Sequence, residues 1–193
     1  MNLRRTLLLF SFIFTGSLAI AQPKDRWTIQ DGGAIRWSIN DNIPHDDHLE
    51  MSGQQLSVVL RYGVDAQKRF HLNRSLVFPM LRMHPNKTQN NLKQRFDVNI
   101  PALVTVDDQT LLNEEVRDVT FNGIMRVESS FGYIYRRKEL KDAVQLTRVL
   151  YPSTNAAHYC EEYTFKNSSP NQITLRVPEW NVTYTTPEEA GVY

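Results

Sequence analysis

Residues 56–64, LSVVLRYGV, decide the fold class of this chain. Apolar residues recur at every second position of this stretch, and a period of two is typical of a strand with one buried face. A short polar link follows at residues 65–68, and a second apolar run then extends over residues 76–83 and contains Pro79. Two strands joined by a short polar link predict a hairpin at the centre of an antiparallel sheet.

Short segments with the same period of two occupy most of the chain after Arg26, and turn-forming residues separate them. This spacing predicts ten to twelve strands in an all-β, antiparallel β-sandwich (supersandwich). The Asn122-Gly123 pair predicts a hairpin with a type I′ turn. Pro79 and Pro101 are expected at strand edges or bulges, because proline cannot donate to a ladder. The further expected strands are 27–29, 34–39, 96–106, 119–121, 124–127, 131–135, 144–151, 159–165, 173–177 and 180–184.

The first 21 residues, MNLRRTLLLFSFIFTGSLAIA, have the three parts of a secretory signal peptide. Arg4 and Arg5 are positively charged, residues 7–14 are apolar, and small residues precede a cleavage site after Ala21. The apolar part is shorter than the roughly 20 residues that a membrane-spanning helix needs. We therefore expect residues 22–193 to form one domain without a membrane span, exported to the periplasm or the extracellular space.

Charge and cysteine content exclude several classes of protein. The formal charge of the chain is +1, and removal of Arg4 and Arg5 with the signal peptide changes it to −1. No basic field then attracts a phosphate backbone, so no nucleic-acid partner is expected, and the basic residues 136–138 are expected at a solvated hairpin end. Cys160 is the single cysteine, so no internal disulfide forms. No phosphate-binding loop is present, and no cofactor is expected.

Adjacent acidic residues are the first candidates for catalysis, because glycoside hydrolysis requires two carboxyl groups roughly 5 to 10 Å apart. Glu161 and Glu162 are neighbours on a predicted strand and should point to opposite faces. The other pairs are expected in turns, where carboxylates accept local hydrogen bonds. We therefore assign no catalytic residue. The five pairs are Asp46-Asp47, Asp107-Asp108, Glu114-Glu115, Glu161-Glu162 and Glu188-Glu189.

Residues 45–48, HDDH, form the densest group of metal-ligand side chains, with Glu50 nearby. His45, Asp47 and His48 are the candidate ligands, and their chemistry suits zinc. A zinc site needs three or four ligands of matched geometry, and the sequence offers no further ligand at motif spacing. A polar connection into a strand is therefore the favoured interpretation, and a small metal-dependent hydrolase centred on His45 and His48 is a third hypothesis.

Three tryptophans, Trp27, Trp37 and Trp180, are the candidate carbohydrate-binding residues. Exposed aromatic rings can form a stacking platform for a sugar. Large aromatic side chains also contribute much of the burial in a sandwich core, and we favour this alternative for at least two of the three.

Several longer segments resemble a known family. DDHLEMSG (46–53), VVLRYGVDAQKRFHLNRSLVFPMLR (58–82) and HPNKT (84–88) resemble the N-terminal β-supersandwich domain of bacterial glycoside hydrolases. In that family this domain precedes an (α/α)6 six-hairpin barrel. RVLYPS (148–153) and CEEYTFKNSS (160–169) resemble later strands of the same domain.

The resemblance implies an exported sandwich domain of a glycoside hydrolase that degrades carbohydrate. In such enzymes the catalytic carboxylates lie on the barrel, so a C-terminal helical catalytic domain is the expected partner and this chain alone is expected to be inactive. The turn-rich residues 187–191 lie just before Tyr193, so we expect the sandwich to be incomplete at the C-terminus, in a fragment of a longer protein or the product of an early stop. The alternative is a free-standing carbohydrate-binding β-sandwich protein with a carbohydrate ligand.

Overall fold

The computed structural model describes residues 26–82 and 91–183, which contain thirteen strands. A short 3₁₀ helix, Ile100–Leu103, lies between the sixth and seventh of them. The predicted signal peptide lies outside the described residues. In chain order the strands are β1 (Thr28–Ile29), β2 (Ile35–Ser38), β3 (His45–Ser52), β4 (Ser57–Val64), β5 (Phe70–Arg82), β6 (Asn91–Phe96), β7 (Thr105–Val106), β8 (Gln109–Thr110), β9 (Leu112–Phe121), β10 (Met125–Tyr135), β11 (Lys138–Pro152), β12 (Tyr159–Asn167) and β13 (Leu175–Arg176).

The strands pair into three antiparallel sheets. The largest has the order β1-β2-β9-β10-β11-β12, the second the order β3-β4-β5-β6, and the smallest the order β13-β7-β8. The two larger sheets pack face to face, so the predicted all-β, antiparallel sandwich is confirmed. Among the described residues, no helix has the length and apolar character needed to cross a membrane.

The predicted central hairpin consists of β4 and β5, which are the two inner strands of the four-stranded sheet. β5 begins earlier than expected, at Phe70, because the turn before it is tight. The Asp65 carboxylate closes that turn by accepting hydrogen bonds from the backbone N–H groups of Gln67 (2.8 Å) and Arg69 (3.0 Å). The inward residues of β4 are buried, as the alternating pattern predicts: Val58, Leu60, Tyr62 and Val64.

The hairpin predicted at Asn122-Gly123 forms between β9 and β10, but its turn is not type I′. A type I′ turn needs positive φ at both central residues. In the three-residue loop 122–124, Gly123 has a φ of 71° and Asn122 has no positive φ. Positive φ at two successive residues occurs instead at Arg136 (47°) and Arg137 (67°), between β10 and β11. The basic cluster is therefore exposed at a hairpin end, as predicted.

Two hydrophobic clusters fill the interior of the molecule. The first cluster lies between the six-stranded and four-stranded sheets and contains Trp37, Ile39, Met51, Val58, Leu60, Tyr62, Val64, Val116, Val119, Met125, Val127 and Leu150. The second cluster lies between the six-stranded and three-stranded sheets and contains Val106, Phe131, Tyr133, Ala143, Val144 and Leu146. The two smaller sheets therefore cover different parts of one large sheet.

Backbone contacts tie the four-stranded sheet to the six-stranded sheet at two places. The N–H of Val116 on β9 donates to the carbonyl of Lys68 in the β4–β5 turn at 2.9 Å. The N–H of Gln54 in the β3–β4 turn donates to the carbonyl of Thr154 at 3.1 Å. A Cβ on Gly53 would collide with backbone of the β11–β12 loop, so this close approach requires glycine there.

The segment 96–106, expected as a single alternating strand, is interrupted. β6 ends at Phe96, and the chain then enters the 3₁₀ helix, in which Pro101 is buried. Pro101 suits this position because the first residues of a helix need no backbone donor. Pro79 lies within β5 where the register against β6 shifts between Phe78 and Arg82, so it interrupts no regular ladder.

The expected inward row at 173–177 is confirmed at Ile173 and Leu175, which pack against the second cluster, but not at Val177, and the row at 180–184 is corrected. β13 has two residues and ends at Arg176, and Val177 is exposed. Trp180 and Val182 lie outside any strand and are exposed, because no neighbouring strand pairs with residues 177–183. Tyr184 lies outside the described residues.

Candidate functional site

The three tryptophans predicted to bind carbohydrate do not share one face. Trp37 belongs to the first cluster with 4% of its surface exposed, and Trp27 packs on it with ring centroids 5.6 Å apart. Trp180 is 40% exposed, and its ring centroid lies 5.2 Å from that of Phe96. The structure thus places Trp27 and Trp37 in or against the core, and Trp180 keeps an accessible surface.

The segment predicted as a polar connection is the strand β3. Alternation along this strand separates His45 and Asp47 on one face from Asp46 and His48 on the other. Nε2 of His45 lies 3.6 Å from Oδ2 of Asp47, and the imidazole ring meets the Trp37 ring edge-on at 4.9 Å. His45 therefore packs against the tryptophan core.

The candidate metal ligands are not gathered at one point. Nδ1 of His48 is 3.9 Å from Oδ1 of Asp47, but the His48 side chain is largely exposed and lies on the opposite face from His45. Within residues 26–82 and 91–183, no group of three or more His, Cys, Asp or Glu side chains could hold a metal ion.

Asp46 pairs with a histidine that the sequence did not indicate. Oδ1 of Asp46 lies 2.5 Å from Nε2 of His71 on the outer face of the four-stranded sheet. Gly63 stands between the two residues in the ladder, and a Cβ there would collide with both side chains. Glycine at this position therefore provides the space in which the pair forms.

Two acidic pairs expected in turns are strand residues. Asp46-Asp47 lies in β3 and Glu114-Glu115 lies in β9, because the flanking sequences pair with neighbouring strands in spite of their polarity. Asp107-Asp108 forms the β7–β8 turn as predicted, with φ values of 48° and 64°. Glu188-Glu189 lies outside the described residues.

Glu161 and Glu162 point to opposite faces of β12, as predicted. The Glu161 side chain is 9% exposed and lies between the sheets. Glu162 accepts a hydrogen bond of 2.5 Å from the Tyr151 hydroxyl on the exposed face. These two carboxyl groups therefore cannot flank one glycosidic bond.

Polar side chains separate the two hydrophobic clusters. The inward row of β11 runs from Leu146 in the second cluster through Arg148 to Leu150 in the first cluster. Polar side chains from other strands approach Arg148 and the neighbouring Arg74. We call this group the polar belt, and its members are Arg74, Glu114, Ser129, Arg148, Glu161 and Tyr163.

Arg74 and Glu161 form a buried ion pair that joins the two larger sheets. Nη2 of Arg74 donates to Oε2 of Glu161 at 2.9 Å, and Nε donates to Oε1. Nη1 donates to the carbonyl of Val98 at 3.0 Å, and Nη2 also reaches the Tyr163 hydroxyl at 3.2 Å. All three guanidinium nitrogens of Arg74 therefore have acceptors, and this fork geometry is the strong form of the arginine–carboxylate pair.

The surroundings of Glu161 fix the protonation of its neighbours. Burial is the largest single influence on the pKa of Arg74 and lowers it, but the hydrogen bond to Glu161 and the negative charge of Glu161 together leave that pKa raised. Burial raises the pKa of Tyr159 and Tyr163 far above the usual value, and the negative charge of Glu161 adds to this effect. The arginine therefore stays charged, and both tyrosines keep their protons.

Arg148 is as deeply buried as Arg74 but has fewer partners. Nη1 lies 2.6 Å from Oε1 of Glu114 and donates to the Ser129 hydroxyl at 3.2 Å. The contact with Glu114 has the distance of an ion pair, but Oε1 accepts no aligned hydrogen bond from the described residues. The guanidinium also lies over the Phe70 ring, 5.2 Å from its centroid.

The polar belt meets solvent in a cleft between β5, the connector 97–101, and the β11–β12 pair. We call it the seam cleft. Its volume is about 210 Å³. The lining residues that matter for its chemistry are Phe70, Arg74, Asp97, Asn99, Arg148 and Tyr163.

The sequence contained a signal for the polar belt that the search for adjacent acidic pairs did not use. Arg74 interrupts the apolar row of β5 between Leu72 and Leu76, and Arg148 interrupts the row of β11 in the same way. A charged residue in an inward row is informative, because charges are almost never fully buried unless they are paired. The partner of each charge remained undetermined without the packing of the two sheets.

Comparisons of the chain with protein-family models, with curated proteins and with solved structures find no match.

Proposed function

We propose that this chain is the non-catalytic β-sandwich domain of an exported glycoside hydrolase that degrades carbohydrate. In this proposal the domain acts in the periplasm or outside the cell. A C-terminal helical domain supplies the catalytic carboxylates, and the sandwich supports that domain. The resemblance of residues 46–53, 58–82, 84–88, 148–153 and 160–169 to such sandwich domains motivates the proposal.

The observation that carries the proposal is where these segments lie. The segments DDHLEMSG and VVLRYGVDAQKRFHLNRSLVFPMLR cover the adjacent strands β3, β4 and β5. RVLYPS and CEEYTFKNSS lie on the adjacent strands β11 and β12 of the facing sheet. The buried pair Arg74–Glu161 connects one group to the other. The resembling segments thus meet in the packed interior, which suits the shared framework of a domain.

The inward carboxylates support a structural role for the sandwich. Glu161 is held by Arg74, and Glu114 lies against Arg148. A glycosidase needs one carboxyl group that donates a proton and a second that attacks or activates water. Both inward carboxylates lie against buried guanidinium groups, and this environment suits a framework role.

The test is an assay of the purified chain alone, together with the coding DNA downstream of residue 193. We expect no turnover of aryl glycosides or oligosaccharides, and we expect the downstream DNA to encode a long helical domain. Measurable glycosidase turnover by the chain alone would contradict the non-catalytic assignment. Downstream DNA without a helical domain would contradict the proposed partner.

A second candidate function is a free-standing carbohydrate-binding protein, and Trp180 favours it. This residue is 40% exposed and packs beside Phe96, so it offers an aromatic surface to a ligand. Affinity electrophoresis in polysaccharide gels tests this function. Retardation that Trp180→Ala abolishes, while the matched Trp27→Phe variant retains it, would support this candidate. Equal migration of wild type and Trp180→Ala would reject it.

A further inference from the structure

The seam cleft combines donors, acceptors and aromatic rings around one small space. Arg148 is an arginine with 3% of its side chain exposed, and it lines this cleft. Its one hydrogen bond to the described residues, to the Ser129 hydroxyl, uses Nη1, which is also the nitrogen nearest Glu114. Nε and Nη2 therefore have no protein acceptor among residues 26–82 and 91–183. Neither nitrogen is among the fully buried atoms that lack a partner, so both have some contact with solvent and are available to a ligand in the cleft.

Acceptors and amides complete the lining. The Asp97 carboxylate accepts a hydrogen bond of 3.1 Å from the Asn73 amide at the edge of the cleft. Asn99 is exposed and contributes a second amide from the connector. The Tyr163 side chain also lines the cleft, and its hydroxyl is bonded to Glu161 and Arg74. A ligand in this space thus meets both donors and acceptors within a short distance.

The charges of the cleft largely cancel. Arg74 is neutralised by Glu161, and Arg148 lies beside Glu114. An anionic ligand would approach two buried carboxylates and Asp97 without a net positive field to compensate. A neutral ligand with several hydroxyl groups meets no such penalty, because each hydroxyl both donates and accepts hydrogen bonds.

We propose that the seam cleft binds one neutral pyranose ring, with Arg148 donating hydrogen bonds to its hydroxyl oxygens. The ring's apolar C–H groups lie against the Phe70 side chain, which lines the cleft beside Arg148. The volume of about 210 Å³ is below the roughly 300–1,000 Å³ typical of drug-sized ligands, so the cleft suits a single ring. The choice of a sugar rests on the proposed function, whereas the requirement for a neutral polyhydroxy ligand rests on the cleft itself.

Binding is measured by titrating the ¹⁵N-labelled chain with the methyl pyranosides of glucose, galactose and mannose, and with glucuronate. We expect at least one methyl pyranoside to shift the backbone amide of Asn99 and the Nε–H signal of Arg148 in a saturable manner. Glucuronate should bind more weakly. The absence of saturable shifts with all three pyranosides would overturn the proposal, and so would tighter binding of glucuronate.

Variants locate the ligand. Asn99→Trp places a large side chain at the exposed connector without altering the core, and it should lower the affinity at least tenfold. Arg148→Lys keeps a positive charge beside Glu114 but removes the planar array of donors, and it should lower the affinity to a similar extent. Arg126→Lys is the matched control, because Arg126 lies on β10 and pairs with Glu128. Unchanged affinity in Asn99→Trp would overturn the site even if Arg148→Lys fails to fold.

This test and the test of the proposed function fail independently. If no pyranoside gives saturable shifts, the results of the turnover assay and of the downstream DNA still stand. That outcome therefore rejects only pyranose binding in the seam cleft. Glycosidase turnover by the chain rejects the non-catalytic assignment and leaves the titration to be judged by its own variants.

Discussion

Arg74 and Arg148 offer a comparison within one molecule, because both are arginines with 3% of the side chain exposed. Arg74 uses Nε, Nη1 and Nη2 to bind Glu161 and a backbone carbonyl. Arg148 makes its one hydrogen bond to the described residues through Nη1, and its contact with Glu114 lacks an aligned hydrogen bond. The two arginines are therefore equally buried, but they differ in how many of their guanidinium nitrogens are hydrogen-bonded.

The difference indicates different roles. A buried ion pair that is fully hydrogen-bonded contributes to the framework, because removing one partner leaves the other charge without compensation. A buried arginine whose N–H groups are not all hydrogen-bonded within the protein can donate hydrogen bonds to a ligand. The following predictions separate the two roles, beginning with the largest expected effect.

Replacing Arg74 with methionine should destabilise the protein most. Arg74→Met leaves Glu161 buried without its cation, and breaking such a pair costs about 3–5 kcal/mol. The measurement is the free energy of unfolding from urea denaturation. The double variant Arg74→Met/Glu161→Met is the control, and it should recover most of the loss because well-packed apolar side chains can replace a buried pair. A double variant as unstable as the single variant would contradict the role of the ion pair.

Replacing Arg148 with methionine should cost less than the Arg74 change. Arg148→Met leaves Glu114 without a cation, but no aligned hydrogen bond is lost from that carboxylate. We expect a loss of about 2 kcal/mol, within the range for an unsatisfied buried polar group. Urea denaturation beside Arg74→Met measures the difference between the two arginines. A loss equal to or larger than that of Arg74→Met would show that Arg148 is an equal part of the framework.

Removing the Tyr163 hydroxyl, on the Arg74 side of the polar belt, should destabilise the protein less than either arginine change but more than a change at the surface. The Tyr163 hydroxyl donates to Oε2 of Glu161 at 2.5 Å and accepts from Arg74. Tyr163→Phe should therefore lower the free energy of unfolding by about 1.5 kcal/mol, as for hydrogen bonds to charged groups. Tyr151→Phe is the matched control, because its hydroxyl bonds Glu162 on the exposed face. Equal losses in the two variants would contradict the special contribution of the buried belt.

The surface pair Arg36–Asp118 extends the comparison to an arginine that solvent reaches. Burial raises the pKa of Asp118, but hydrogen bonds from Arg36 and Ser38, together with the positive charges of Arg36 and Arg117, leave that pKa lowered. The stabilisation is therefore present above the unfolded pKa of about 3.9 and is lost as the pH falls through the lower folded-state value. Asp118→Asn should cost about 0.5 kcal/mol at pH 7, as expected for a screened pair.

The pH dependence provides the check on this last prediction. The difference in free energy of unfolding between wild type and Asp118→Asn should shrink when urea denaturation is repeated below pH 4. A difference that grows on acidification would contradict the lowered pKa of Asp118.

The local pattern of the sequence was enough to predict the central hairpin. Residues 56–64 alternate between apolar and polar side chains, and one face of β4 is indeed buried. Residues 45–52 were harder to recognise as a strand, since β3 carries charged side chains at an edge of the sheet. Its strand conformation depends on pairing with β4, and pairing partners are not visible in a local pattern.

The candidate site was predicted only in part. The opposite orientation of Glu161 and Glu162 follows from strand geometry and was correct. The contact of Glu161 with Arg74 joins residues 87 positions apart on different sheets, so no local motif indicates it. The pairing of Asp46 with His71 across Gly63 depends in the same way on the register of three strands. The glycoside hydrolase resemblance and the export of the chain stay predictions.

The sequence by itself determined that this protein is built from antiparallel strands, because the period of two and the turn residues act over a few neighbouring positions. Tertiary structure alone decided that two smaller sheets cover one large sheet and leave a polar belt between two hydrophobic clusters. The physical reason is that burial and ion pairing depend on which distant strands face each other. Arg74 and Arg148 have similar sequence surroundings, and only the packed sheets give one of them a complete set of acceptors.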